Sequence, residues 1–192
     1  MPLTKITNKS YLNELVGLAP VILGEYLATL ETATHSKPGG VTGWKLTEVM
    51  RNRGLLPNAS QIPTLKTFIE GLPVGIYPIM AAISSVRGTK LTDGTIHSEA
   101  YPETMHRYHI PLHACVNAVI HIEEDDTGWQ DYTWEDGFAY EFENPQNNHY
   151  LSHNDIADDR IVIILDVFEG VEPTVDETSV CDNIIQSFIA VT

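Results

Sequence analysis

From Ile76 onward the chain breaks into short runs rich in β-branched and aromatic residues, with turn residues and no helical stretch between them. The runs are Ile76 to Val86, Ile96 to Glu99, Arg107 to Ala114, Val116 to Glu123, Phe138 to Phe142 and Arg160 to Phe168. Thr92-Asp93-Gly94, Asp126-Thr127-Gly128 and Asp136-Gly137 punctuate them. Several short strands at this spacing form an antiparallel sandwich or barrel. A jelly roll of about eight strands fits the length available.

The segment before those runs reads differently. Leu12, Leu15, Val16, Leu18, Val21, Ile22, Tyr26, Leu27 and Leu30 recur at three- and four-residue steps, which predicts an amphipathic helix. Pro20 sits inside it and predicts a break or kink near Ala19. Ser36-Lys37-Pro38-Gly39-Gly40 is a turn signal. Thr42 to Arg53 then reads as a short helix stopped by Gly54. Pro63 opens another helix through Glu70, closed by Gly71. Val171 to Ser179 is acidic and loop-like, and Val180 to Val191 fits either a helix or a last strand. The expected organisation is one α+β domain over residues 1–192. Its helical part (1–72) packs on one sheet of a jelly-roll or double-stranded β-helix core (76–170), and 171–192 forms a C-terminal extension.

Charge narrows the function. The chain has 192 residues and a formal net charge of -15, so it lacks the clustered Lys and Arg that neutralise phosphates, and nucleic acid is not an expected partner. The run Glu123-Glu124-Asp125-Asp126 reads as a solvated loop. Apolar residues make up 43% of the chain, enough for a globular core. Cys115 and Cys181 are the only cysteines, too few for a disulfide framework. No stretch has the length of a membrane span and the first twenty residues lack a signal-peptide pattern, so a cytoplasmic protein without membrane partners is expected. Oligomeric state is left open.

Beyond residue 91 the only cationic side chains are Arg107 and Arg160, and each lies near histidines. His97-Ser98-Glu99 and His106-Arg107-Tyr108-His109 form one cluster; His149 and His153 precede Arg160 in the other. In a strand, residues two apart point to the same side, so His97 and Glu99 can meet one metal, with His149 arriving from a distant strand. Two imidazoles and one carboxylate leave open positions on a metal, as in non-haem Fe(II) oxygenases and unlike a closed zinc site. Arg160 opens an apolar strand where an unpaired charge is costly, which suits an anion site. The plain alternative pairs it with Asp158 or Asp159. His35, His106, His113 and His121 read as solvated or hydrogen-bonded residues, and Trp134, Tyr108 and Phe142 as core, Tyr108 with the option of a pocket rim.

The order of these segments resembles the aspartyl/asparaginyl β-hydroxylase family, which includes bacterial proline hydroxylases. His106-Arg107-Tyr108-His109-Ile110-Pro111-Leu112 is similar to the strand following that family's metal motif. Thr133-Trp134-Glu135-Asp136-Gly137 resembles its T-W-E-x-G turn. Phe142-Glu143-Asn144 with His149 resembles its F-x-N stretch and second histidine, and Asp159-Arg160-Ile161 to Leu165-Asp166-Val167 its R-[IL]-x-[LF]-I-x-D-V strand. Gly88-Thr89 stands ahead of His97 like the loop before the metal motif. The resemblance spans Ile62 to Phe168.

It implies an Fe(II)/2-oxoglutarate-dependent dioxygenase that uses O2 to hydroxylate an amino acid. The substrate is a free amino acid such as proline, or an Asp, Asn or Pro residue of a peptide or protein. His97, Glu99 and His149 become the iron ligands. Arg160 pairs with the distal carboxylate of 2-oxoglutarate, and Arg107 with His109 contacts the end near the metal or the substrate. The chain departs from the pattern at two places. Glu99 stands where animal members have glycine and proline hydroxylases aspartate, so it either binds iron directly or is held off by a hydrogen bond. His153 is an alternative second histidine, though His149, eleven residues before Arg160, is closer to the family spacing. A cupin-like metal enzyme that ignores 2-oxoglutarate and a non-catalytic jelly-roll binding module are the other functions considered.

Overall fold

A computed structural model of the protein describes residues 3–38, 43–91, 96–143 and 145–189. The turn read at Thr92-Asp93-Gly94, the Gly39-Gly40 pair, Thr42, Asn144 of the F-x-N stretch and Val191 lie outside the described residues. In chain order the elements are β1 (Leu3–Ile6), α1 (Ser10–Thr29), β2 (Trp44–Arg51), β3 (Gly54–Leu55), a 3-10 turn (Pro57–Ser60) and α2 (Pro63–Glu70). Then follow β4 (Ile76–Val86), β5 (Met105–His113), β6 (Ala118–Glu124), β7 (Gly128–Tyr132), β8 (Ala139–Phe142), β9 (His149–His153), β10 (Arg160–Glu169) and α3 (Val175–Ile189).

The strands form a seven-stranded antiparallel sheet, β1-β8-β5-β10-β4-β2-β3, and a three-stranded antiparallel sheet, β7-β6-β9. Together they make the double-stranded β-helix core, with helices on the larger sheet, of an α+β fold. The large sheet is buried on both faces, and alternation along its central strands sorts the two. Ile161, Ile163, Leu165 and Val167 of β10 join Tyr108, Ile110 and Leu112 of β5 and Ala81 and Ile83 of β4 on the outer face. There Tyr11, Leu12, Leu15, Ile22 and Tyr26 of α1 and Leu65, Phe68 and Ile69 of α2 cover them. The inner face meets the small sheet across Trp44, Val86, Ile120, Ile122, Trp134, Tyr140, Phe142 and Leu151. No helix of the described residues is long and apolar enough to cross a membrane.

Three local expectations are corrected. The segment from Thr42 to Arg53 is no helix: Trp44–Arg51 is a strand paired with β4, and Asn52 and Arg53, at φ 48° and 63°, turn it into β3. A β-bulge between Glu48 and Met50 breaks the two-residue alternation, so Leu46, Val49 and Met50 fall at steps that imitate a helical face. Ile96 to Glu99 is extended but not a strand; a single bridge, His97 to His149, holds it to β9. Of the break or kink expected near Ala19, the break does not occur: α1 runs through Pro20 without ending, with Pro20 facing solvent while Leu12, Leu15, Ala19 and Ile22 anchor both sides.

The C-terminal segment resolves as helix from Val175, earlier than the loop reading of Val171 to Ser179. Thr174 explains the start. Its hydroxyl accepts the Glu177 backbone N–H (3.2 Å), and Glu177 reaches back to the Thr174 N–H (2.8 Å). That is a capping box.

Because α1 is held by the outer face of the sheet, Leu15→Ala is expected to lower the unfolding free energy by about 2–5 kcal/mol. Val21→Ala, at an exposed position on the same helix, should change it by less than about 0.5 kcal/mol. Urea titrations that show equal shifts for the two would contradict this packing.

Candidate metal centre

Between the sheets, strand alternation places polar side chains that an apolar core does not need. β5 turns Arg107 and His109 inward, β10 turns Arg160 and Asp166 inward, and β4 contributes Ser84. His149 comes from β9, and the extended segment bridged to it carries His97 and Glu99. Backbone bonds fix that segment: His97 N–H to His149 O (3.1 Å), His149 N–H to His97 O (2.8 Å) and Glu99 N–H to Pro145 O (2.8 Å).

One ligand atom from each of His97, Glu99 and His149 lies within 4.8 Å of the others. Glu99 and His149 are buried, and His97 is half-buried. His149 Nδ1 is 2.8 Å from the Asn147 carbonyl, which only accepts, so Nδ1 carries the proton. Its Nε2 lone pair is thereby turned toward Glu99 Oε2, 3.5 Å away. Burial pushes the imidazole down to about 4, against the pull of Glu99, so it is neutral at physiological pH. The His97 and His149 rings lie 4.2 Å apart, and Phe142 meets His149 edge-on at 4.8 Å. A neutral, oriented imidazole beside a carboxylate is the donor set of a first-row divalent metal.

Glu99 is not isolated. Burial on its own would raise its carboxyl, but the Arg107 guanidinium and the two histidines outweigh that and hold it below the usual range. Arg107 Nη1 donates to Glu99 Oε2 at 2.6 Å. The same guanidinium grips Asp166 with two bonds, Nε to Oδ1 at 2.8 Å and Nη2 to Oδ2 at 2.9 Å, and Nη2 also donates to the Tyr101 hydroxyl at 2.7 Å. Asp166 and Arg107 are directly opposed in the β10–β5 ladder. All three groups are buried; counted as ionised they sum to one negative charge, with burial raising the Asp166 carboxyl above its usual range against the pull of Arg107.

Arg160 lines the same cavity as His97, Glu99 and His149 and is in the opposite condition. It is 3% exposed, and among the described residues no carboxylate pairs with it. Asp159 pairs with Arg87 (2.6 Å) and Asp158 with His113 (2.7 Å) instead. Burial lowers the guanidinium to about 9. Its contacts are a 2.9 Å bond from Nη1 to Ser84 Oγ and the face of Trp134, 4.5 Å away, while Nε has no partner. Ser84 Oγ also accepts from Trp44 Nε1 at 2.9 Å. Both donors are acceptor-free, so the Ser84 proton is left for something else. His109 Nδ1 and Trp134 Nε1 are buried without a hydrogen-bond partner among the described residues. His109 is held well below its usual pKa by burial and by Arg160 and Arg107, which keeps it neutral.

The structure thus brings together His97, Glu99 and His149, and sets Arg107, His109 and Arg160 around the same cavity. His153 is elsewhere. It is fully buried with Nδ1 on the Thr89 carbonyl (3.0 Å) and is not in the three-residue group. His106 bonds Glu141 on the outer face, His35 bonds Thr47 and the Leu30 carbonyl, and His121 bonds Asp131 and Ser152. Tyr108 lies on the helix side with Glu169, not at the cavity. Trp134 and Phe142, read as core, line the cavity as well. Ser84, Trp44 and Tyr101 are not among the residues expected at the site, and Asp166, quoted only as part of the resembled strand, has no expected role there. A hydroxyl and a carboxylate inside apolar strands were the available signal for Ser84 and Asp166, since such groups need a partner when buried.

No protein-family model matches the sequence, and comparison with curated proteins finds no match. Solved structures share the fold. An oxidoreductase of the 2OG-Fe(II) oxygenase family from Burkholderia pseudomallei superposes with a TM-score of 0.54 at 10% identity, covering 87% of this chain and 84% of that one. A prolyl hydroxylase in complex with a hypoxia inducible factor oxygen degradation domain peptide fragment, from Trichoplax adhaerens, gives 0.55 at 12% identity over 93% and 86%. The non-heme alpha ketoglutarate dependent epimerase SnoN from nogalamycin biosynthesis gives 0.52 at 12% over 80% and 74%. At these identities the likeness is one of architecture: the chain has the double-stranded β-helix fold of these proteins.

Proposed function

We propose that this protein is an Fe(II)/2-oxoglutarate-dependent oxygenase that hydroxylates an amino acid, either free or as a residue of a peptide or protein. One observation carries the reading: a two-histidine, one-carboxylate group and a buried arginine without a carboxylate partner line the same cavity. A structural zinc site does not need the arginine, and a plain anion site does not need the imidazoles. The ordered resemblance to the aspartyl/asparaginyl β-hydroxylase family and the shared fold agree with it.

In this reading His97, Glu99 and His149 hold the metal. Iron bound there, with 2-oxoglutarate and O2, supplies oxidation of a substrate C–H bond coupled to loss of CO2 and formation of succinate. The chain's own groups bind and orient. Arg160 makes a charge-assisted pair with the distal carboxylate of 2-oxoglutarate, and the free Ser84 hydroxyl proton donates to the same group. That pairing offsets the desolvation cost Arg160 carries alone. His109, neutral and with an unpartnered Nδ1, is placed for the end nearer the metal. Arg107, expected at that end too, is already committed to Glu99 and Asp166 and contributes chiefly through Glu99. Phe142 and Trp134 exclude water from the cavity.

Glu99 puts the site with the carboxylate-bearing members of the resembled family, the proline hydroxylases. This favours a free amino acid such as proline over a protein residue. Screening free amino acids and then peptides for a product heavier by one oxygen atom discriminates the two.

Anaerobic addition of Fe(II) and 2-oxoglutarate should produce a metal-to-ligand charge-transfer band, and admission of air should yield succinate. Absence of both would refute the proposal, and metal-dependent turnover indifferent to 2-oxoglutarate would favour a cupin-like enzyme. Arg160→Ala should raise the 2-oxoglutarate concentration needed for half-maximal turnover by about 10- to 100-fold, the loss of a charged hydrogen-bonded pair. An unchanged requirement would remove Arg160 from that role.

A further inference from the structure

We propose that Asp166 and Arg107 are positioning residues for the metal, holding Glu99 at its working distance and setting the affinity of the site for a divalent cation. The inference rests on the reading of His97, Glu99 and His149 as metal ligands, and adds residues that do not themselves touch the ion.

Glutamate reaches one methylene further than aspartate, and the structure shows where that reach goes. Arg107 Nη1 donates to Glu99 Oε2 at 2.6 Å, the same oxygen that His149 Nε2 faces at 3.5 Å, so the guanidinium fixes the carboxylate where it meets the imidazole. An arginine facing a lone carboxylate would neutralise it and compete with the metal for it. Here the guanidinium is held by two bonds from the opposite side, to Asp166 at 2.8 and 2.9 Å, while Glu99 receives one. Tyr101 takes a further Nη2 bond at 2.7 Å and fixes the plane of the fork. With Asp166 sharing the guanidinium, Arg107 does not fully neutralise Glu99, whose carboxylate keeps negative charge. In a desolvated space that charge calls for a cation. Asp166 faces Arg107 across the β10–β5 ladder, so the device is built into strand register and does not depend on a loop.

Asp166→Asn keeps the shape and removes the charge. Arg107 then has Glu99 as its only carboxylate and holds it more tightly, so the metal should bind more weakly. The full chain is titrated with Mn(II), followed by the EPR signal of free ion, and with Co(II), followed by its d–d absorption. Asp166→Asn is expected to lower Mn(II) affinity by about 10- to 100-fold, the usual range for a residue that orients a ligand, and to change the Co(II) band shape. Glu141→Gln, on the outer face with His106, should leave both unchanged. If Asp166→Asn fails to fold, Tyr101→Phe carries the test, with a smaller loss of affinity and a shifted Co(II) band. A folded variant matching the wild type in both readouts overturns the positioning role alone. A wild-type chain that binds neither Mn(II) nor Co(II) overturns the metal site itself, and this inference with it.

Discussion

A charge placed between two packed sheets loses its water, and only a paired or ligand-bound arrangement compensates for that. This constraint organises the interior of the protein. β10 alternates strictly enough that Ile161, Ile163, Leu165 and Val167 face the helices while Arg160 and Asp166 face inward. β5 does the same with Tyr108, Ile110 and Leu112 on one side and Arg107 and His109 on the other. Pairing Asp166 with Arg107 in register satisfies both charges and ties the two central strands together. A one-residue slip in that ladder would put Arg107 against the apolar side of α1 and leave Asp166 alone. The register that packs the outer core is therefore also the register that assembles the polar centre.

The outer face has a smaller polar knot of its own, and its position explains how α1 is seated. Lys9, just before the helix, pairs with Glu169 at the end of β10 (2.7 Å). Tyr11 and Tyr108 donate to the same carboxylate at 2.5 and 2.8 Å. The cluster lies at the sheet's end, where the Lys9 and Glu169 side chains each keep 22% of their surface in water, so its charges cost less than those inside. α1 is thus set at its start by hydrogen bonds and along its length by Leu12, Leu15, Ile22 and Tyr26. The helices keep one face of the large sheet dry, which leaves the other face available for chemistry.

What could be read from the chain follows the same physics. Continuous apolar runs with clear boundaries, such as Ile76–Val86 and Arg160–Glu169, are legible because both faces of those strands are buried. Pro63 and Gly71 bracket α2 by backbone chemistry alone. β2 was misread because the bulge at Val49 shifts its alternation, and a bulge depends on a partner strand that sequence spacing does not reveal. β7, with Trp129 and Asp131 facing out, has too little apolar pattern to register. His97, Glu99 and His149 could be proposed as a set through the ordered resemblance; H-x-E alone is too common. Asp166 was quoted as part of that resemblance, yet nothing local marks it as the partner of Arg107, 59 positions away. Pairings at that separation belong to the fold.

The two arginines of this acidic half-chain make the clearest comparison the structure offers. They stand on neighbouring central strands, face the same cavity and are buried to the same degree. One has two carboxylates and a phenol; the other has a serine hydroxyl and an indole face. If a buried arginine here served only packing, Arg160 could be replaced by an apolar residue at no electrostatic cost, because nothing charged depends on it. Arg107 could not, since its loss would leave Glu99 and Asp166 as two unneutralised carboxylates. The asymmetry separates a guanidinium that completes the protein from one that the protein leaves incomplete. A group that remains incomplete at such desolvation cost is the feature to expect where a ligand's own charge finishes the pairing.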